Sequence, residues 1–218
     1  MATILCIETA STNCSVAIGK DGEILAVKED FSADYSHAER LHVFIKEILS
    51  ENNIGLGELD AIAVSKGPGS YTGLRIGVSA AKGLCFSLNI PLISVATLTA
   101  LAHQVKEKET VVTMLDARRM EVYSAVFNSE KQQTEETSAK ILNENSYADI
   151  LAQGKVCFIG SGVKKFSEIC SHENAVFLQN KLPSAREMVA LADEKYKISD
   201  TEDVAYFEPY YLKDFIAG

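Results

Sequence analysis

Residues 60–84 read DAIAVSKGPGSYTGLRIGVSAAKGL, and the rest of the chain is best understood from this stretch. Ala61, Ile62, Ala63 and Val64 make an apolar run of buried-strand character that breaks at Gly67-Pro68-Gly69. A helix of small residues is predicted from Thr72 onward. Strand, glycine turn and helix together aim backbone N–H groups and the positive end of a helix dipole at one point. The Walker pattern does not fit, because Leu74 and Arg75 follow Gly73 where a Lys and a Ser or Thr are required. Inside the helix Gly73 and Gly77 lie one turn apart, with Ala80, Ala81 and Gly83 beyond them. Each glycine costs a helix about 1 kcal/mol against alanine. Another backbone must therefore approach closely, either the protein's own sheet or the helix of a partner. The local pattern leaves both readings open.

Around this stretch the chain reads as alternating strands and helices. Residues 3–7 form a first strand closed by Glu8-Thr9-Ala10-Ser11, and Cys14 to Ile18 a second. Gly19-Lys20-Asp21-Gly22 supplies hairpin turn chemistry, and Glu23 to Glu29 makes a third strand. Ser36-His37-Ala38-Glu39 is a capping-box pattern; the helix it opens carries Leu41, Phe44, Ile45, Ile48 and Leu49 at helical spacing. A strand from Pro91 to Val95 and a short helix from Thr97 end the first half.

The second half starts again in the same order. Thr110 to Leu115 is a strand ending in Asp116, Glu121 to Phe127 returns, and Thr134 to Ile141 makes a third. A helix over Ser146 to Leu151 leads to a strand at Val156 to Ile159, closed by Gly160-Ser161-Gly162. Asp116 stands where Glu8 stood, and Gly160 where Gly67 and Gly69 stood. This duplication predicts an α/β fold of two lobes, actin-like, Hsp70-like and sugar-kinase-like (ASKHA). In that fold, acidic strand ends and glycine turns face a nucleotide cleft between the lobes. The boundary is placed at residue 105, giving lobes 1–105 and 106–218. Pro183-Ser184 opens a further amphipathic helix with Pro at its cap, and the aromatic tail Tyr206 to Leu212 packs down, on the first lobe or nearby.

The bulk numbers exclude several classes. With 218 residues and 47% hydrophobic content, the chain buries a substantial core. A net charge of −9 disfavours a protein that grips nucleic acid by itself. No apolar run reaches the ~18–20 residues of a membrane span. No basic n-region precedes the first strand, so a cytoplasmic protein is expected. The five cysteines show no C-x-x-C spacing and suit buried positions in a reducing compartment. His37 and His42 point about 140° apart on a helix, which is not a metal pair.

Catalytic chemistry is hard to place. Glu8-Thr9-Ala10-Ser11 carries the acid of a first phosphate loop without its glycine, and Asp116-Ala117-Arg118-Arg119 lacks one as well. Glu8 and Asp116 are expected to accept hydrogen bonds from strand-end amides rather than to hold a metal. Ser70 lacks the flanking glycines of a nucleophile elbow, since Pro68 and Thr72 stand in their places. A Ser70 pair with Lys66 or Lys82 rests on proximity alone. The candidate nucleotide-cleft residues are Glu8, Ser11, Gly67, Gly69, Ser70, Asp116 and Gly160, in a vestigial site. An active ATP-dependent small-molecule kinase is the alternative.

The motifs Ile7-Glu8-Thr9-Ala10-Ser11, Ser36-His37-Ala38-Glu39-Arg40-Leu41, the run from Gly67 to Gly77, Ala81-Lys82-Gly83-Leu84 and Asp116-Ala117-Arg118-Arg119 together resemble the TsaB (YeaZ) family. The match is collinear to about residue 127 and resumes weakly at Pro183-Ser184-Ala185 and Pro209-Tyr210-Tyr211-Leu212. The resemblance implies a non-catalytic partner of TsaD, which transfers threonylcarbamoyl to adenosine N6 beside the tRNA anticodon. Thr97 and Leu101 stand where TsaD proteins carry two metal-binding histidines, so no metal site is implied. The resemblance further implies a homodimer when alone, a TsaE-like ATPase as third component, and tRNA met only indirectly. No cofactor is expected on the chain by itself, with ATP or ADP only in the complex. The partner surface falls on the helices Ser36–Glu51 and Thr72–Leu88, on His37, Leu41, Phe44 and Ile48 of the first. On the second it falls on Gly73, Leu74, Gly77, Val78 and Ala81, which tilts the glycine reading toward a partner. Glu8 replaces the family's usual Asp, and Met120 its usual glycine.

Overall fold

The computed structural model describes residues 1–31 and 37–213. The apolar runs of the first half become five strands: β1 Thr3–Glu8, β2 Cys14–Lys20, β3 Glu23–Asp30, β4 Ala61–Gly67 and β5 Leu92–Ala96. They form one sheet in the order β3-β2-β1-β4-β5. The hairpin strands pair antiparallel, and β1, β4 and β5 run parallel. Parallel strands joined by helical crossovers are covered on both faces, which is why β1 and β4 read as unbroken apolar runs. Their residues divide by alternation. Leu5, Ile7, Ile62 and Val64 pack beneath α1 (His37–Glu51) and α2 (Tyr71–Leu88). Ile4, Cys6, Ala61 and Ala63 face Ala185, Met188, Val189 and Ala192 of a helix from much later in the chain. The capping box at Ser36 lies outside the described residues; α2 begins with Ser70, whose side chain accepts from Gly73 N–H.

The second half repeats the plan. After α3 (Thr97–Ala102) come β6 Thr110–Asp116, β7 Glu121–Phe127, β8 Gln133–Ile141, α4 Ala148–Leu151, β9 Val156–Ile159, α5 Val163–Ser167 and β10 Ala175–Leu178. The sheet order β10-β9-β6-β7-β8 is that of the first sheet, strand for corresponding strand. Its β10, which has no counterpart among the sequence expectations, is a short half-buried strand paired parallel to β9. The core here is aromatic, with Phe158 and Phe166 ring centroids 5.0 Å apart and Tyr147 edge-on to both. The chain is thus an α/β protein of the duplicated actin-like (ASKHA) type.

It divides into one compact unit of Met1–Ala100 with Pro183–Gly218 and another of Leu101–Leu182. The expected boundary at 105 assigned residues 106–218 to the second lobe, with only the aromatic tail packing back on the first. The last helix, α6 (Ala185–Lys197), instead covers the open face of the first sheet. Polar contacts fasten it there: Ala185 N–H donates to Ser15 Oγ (2.9 Å), and Asn13 Nδ2 donates to Pro183 O (2.9 Å). Its cap is Ser184, which accepts from Arg186 N–H, and not Pro183.

Candidate functional site

Glu8 ends β1 wholly buried. Its Oε1 accepts from Ala10 N–H and from Ser65 Oγ–H (2.9 Å), while Oε2 is buried with no hydrogen-bond partner. Burial pushes its carboxyl up to about 7, against the opposing pull of the Ala10, Ser65 and Thr9 hydrogen bonds. The side chain does bond strand-end amides, as expected from sequence. Ser11 is buried beside it, and its carbonyl lies 2.7 Å from His37 Nε2.

The glycine turn below is filled by the protein itself. Ser70 N–H donates to Ala10 O (2.7 Å), and Gly67 N–H donates to Thr97 Oγ1 (3.1 Å). Gly73 and Leu74 N–H are taken by the Ser70 side chain and carbonyl. A side chain at Gly69 would collide with Ala10, and one at Gly67 would lie 2.6 Å from Tyr210 O. Four amides around the turn, those of Gly67, Ser70, Gly73 and Leu74, are therefore spent on internal acceptors. In the second unit the corresponding turn behaves alike. Asp116 N–H donates to Ser161 Oγ (3.0 Å), Gly162 N–H donates to Met114 O (3.0 Å), and Gly160 packs against Met114 O. Asp116 Oδ1 accepts from Arg118 N–H (2.7 Å) and Oδ2 pairs with Lys165 (2.9 Å). Among the described residues no three His, Cys, Asp or Glu side chains cluster closely enough to hold a metal. At the two positions compared with metal-binding histidines, Thr97 caps the glycine turn and Leu101 is core.

The predicted partner surface needs correction. His37, Leu41, Phe44, Ile48, Leu74, Val78 and Ala81 are all buried in the chain's own core, as are Gly73 and Gly77. A Cβ on Gly73 would collide with Thr9 O, and one on Gly77 with Thr9 Oγ1, whose hydroxyl donates to Gly73 O (2.8 Å). The two glycines let α2 rest directly on the end of β1. Of the two open readings, the protein's own sheet is the one that holds.

The opposite side of the same helices is open. Thr72, Arg75, Ile76, Ser79, Ala80, Gly83 and Leu84 of α2 face Ala38 and His42 of α1 across a mainly apolar groove of about 750 Å³, with Tyr71 at its end. Sequence reasoning missed this stripe. Its signal is the second 3.6-residue series, 72, 76, 79, 83, behind the buried series 74, 77, 78, 81. The tail borders it: Tyr211 packs on Tyr71 with ring centroids 5.0 Å apart, and its hydroxyl accepts from Arg75 Nε (3.1 Å).

Comparison with known proteins draws these features together. The matching family model is that of TsaD, tRNA N6-adenosine threonylcarbamoyltransferase, over residues 32–217. The tRNA threonylcarbamoyladenosine biosynthesis protein TsaB of Haemophilus influenzae is 32% identical, the alignment covering 97% of this chain and 94% of that protein. The chain belongs to the TsaB (YeaZ) family. Its Escherichia coli TsaB relative is 31% identical, covering 98% of this chain and 96% of that protein. YeaZ from Pseudomonas aeruginosa superimposes with a TM-score of 0.81 at 26% identity, covering 97% of this chain and all of that one. At the level of fold alone, component A of (R)-2-hydroxyglutaryl-CoA dehydratase from Acidaminococcus fermentans superimposes with a TM-score of 0.51 at 11% identity, covering 92% of this chain and 100% of that one. In this TsaB-family chain, the motif glycines after β4 serve the internal β1–α2 contact, and the open groove lies behind them.

Proposed function

We propose that this chain is a non-catalytic partner of a TsaD-like enzyme that transfers a threonylcarbamoyl group to adenosine N6 beside the tRNA anticodon. Its part is assembly and scaffolding. The observation that carries this reading is the open apolar groove between α1 and α2, on a chain whose first glycine turn spends the Gly67 and Ser70 amides internally. A face of that kind is what a docking partner covers. The names of the TsaB relatives, which place those proteins in tRNA threonylcarbamoyladenosine biosynthesis, supply the pathway.

The remaining assignments follow from that role. The net charge of −9 leaves the grip on tRNA to the partner. A TsaE-like ATPase joins the pair, nucleotide is held only by the complex, and the isolated chain self-associates in the cytoplasm. Size-exclusion chromatography with light scattering, on the chain alone and mixed with its cognate TsaD, tests the reading. A self-associated chain that converts to a mixed complex, and without which tRNA modification stops, is the expected result. A chain indifferent to TsaD overturns it. So does tight Mg-ATP binding by the isolated chain, which would favour a kinase.

A further inference from the structure

We propose that Arg75, stacked on Tyr71 and hydrogen-bonded to the tail residue Tyr211, anchors a carboxylate carried on a helix of the TsaD-like partner. The proposal rests on the reading that the α1/α2 face docks that partner. The Arg75 guanidinium carbon lies 4.2 Å from the Tyr71 ring centroid and 6.0 Å from that of Tyr211. Its Nε is committed to the Tyr211 hydroxyl. The N–H groups of its two terminal nitrogens meet no acceptor among the described residues, and Glu208 of the tail acts on it through charge without an ion-pair contact. An arginine stacked on aromatic faces with its outer donors free is a fork held ready for a planar oxyanion. Its rotamer is already restricted, so less freedom is lost when a ligand arrives.

The tail that supplies Tyr211 is fastened over the residues that lead up to it. Lys82 Nζ donates to Ala205 O (3.1 Å) and Phe207 O (2.9 Å), and Tyr210 N–H donates to Lys66 O (2.7 Å). The tail thus runs along α2 and sets the orientation of a side chain 136 positions earlier in sequence. Docking becomes dependent on the C-terminal strap.

The floor of the groove says what else the occupant needs. Ile76, Ala80 and Leu84 line it with apolar surface, and Gly83 is exposed with nothing within 4 Å of a Cβ there. An exposed glycine inside a helix has no reason within the chain, and it admits a second backbone at close range. Two neighbouring helices offer a groove that a third helix fills by ridge packing. The fitting occupant is therefore a helix with small and apolar residues at one-turn spacing and an Asp or Glu at the end that meets Arg75. A cation at the mouth of an apolar groove, on a chain of net charge −9, selects such an acidic partner and repels a second acidic surface elsewhere.

Isothermal titration of the full chain with its cognate TsaD tests this, using Arg75→Glu, Arg75→Lys and Tyr211→Phe. Arg75→Glu should weaken binding by about 100-fold or more, in the range of central arginine anchors. Arg75→Lys keeps the charge but loses the fork, and should cost about 10-fold. Tyr211→Phe, which keeps the ring and frees Nε, should cost a few-fold. Melting temperature should be unchanged in all three; should Arg75→Glu fail to fold, Arg75→Lys carries the test. Binding of Arg75→Glu and Arg75→Lys within about threefold of wild type overturns the proposal and leaves the docking reading standing. Failure of the wild-type chain to bind TsaD removes both. If Arg75→Glu dissolves self-association yet leaves TsaD binding intact, the occupant is a second copy and the proposal is overturned.

Discussion

Substituting Gly73 by alanine separates a glycine that serves the fold from one that serves a partner. In the structure a Cβ at Gly73 points at the Thr9 carbonyl oxygen, with His37 Cδ2 at 3.3 Å on its other side. The overlap with the carbonyl is about 1 Å, and neither neighbour can rotate away, because one is backbone and the other is buried. Overpacking of this kind costs about 1–3 kcal/mol, and rigid neighbours place it near the upper end. The gain from replacing a helical glycine by alanine is about 1 kcal/mol. The net effect is a loss of about 2 kcal/mol, or about 4–8 °C in melting temperature for a chain of this size. Gly83→Ala is the internal control. Nothing lies within 4 Å of its Cβ position, so only the propensity term acts, and the isolated chain should gain about 2–4 °C. Calorimetry on the isolated variants reads both. If Gly73→Ala melts at or above the wild-type temperature, the direct seating of α2 on β1 is wrong, and the glycine would again be free for a partner.

Two further outcomes follow from buried or strained polar groups. Glu8 carries a carboxyl raised from 4.5 to about 7, so the fold favours its neutral form. Its contribution is fully present below about pH 4.5 and is lost as pH rises through about 7. The full shift corresponds to ~3 kcal/mol. Urea midpoints between pH 4.5 and 8 should fall more steeply for wild type than for Glu8→Gln; parallel profiles would refute it. Lys165 holds the β6–β7 turn by pairing with Asp116 (2.9 Å) and donating to Arg119 O (2.6 Å) and Glu121 O (3.1 Å). That turn keeps Arg118 and Arg119 at φ 72° and 47°, a region that disfavours side chains. Lys165→Met should cost about 1–2 kcal/mol and speed amide exchange at 117–121. Unchanged exchange there would mean the turn holds itself.

The strands β1 to β9 and the duplication are legible in the amino-acid sequence because each rests on local chemistry, whereas the half-buried β10 is not. Apolar runs that stop at an acid or a glycine mark β1, β4, β6 and β9, and the repeated acidic strand end and glycine turn mark the two units. The family is legible too, since its motifs are short and contiguous. What tertiary structure alone decides is where each face of α2 goes. A helix with small or apolar residues all round has no intrinsic inside, so periodicity yields two stripes and cannot say which one meets Thr9. The contact of Gly73 with β1 is made by folding the sheet, and it turns the predicted partner surface inward. The same holds for α6 and the tail. Their amphipathic and aromatic patterns announce that they pack, but the half-covered first sheet determines that they pack there. Arg75 and Tyr211, 136 positions apart, meet only because that sheet left an open face and an open edge of α2 for the returning chain to cover.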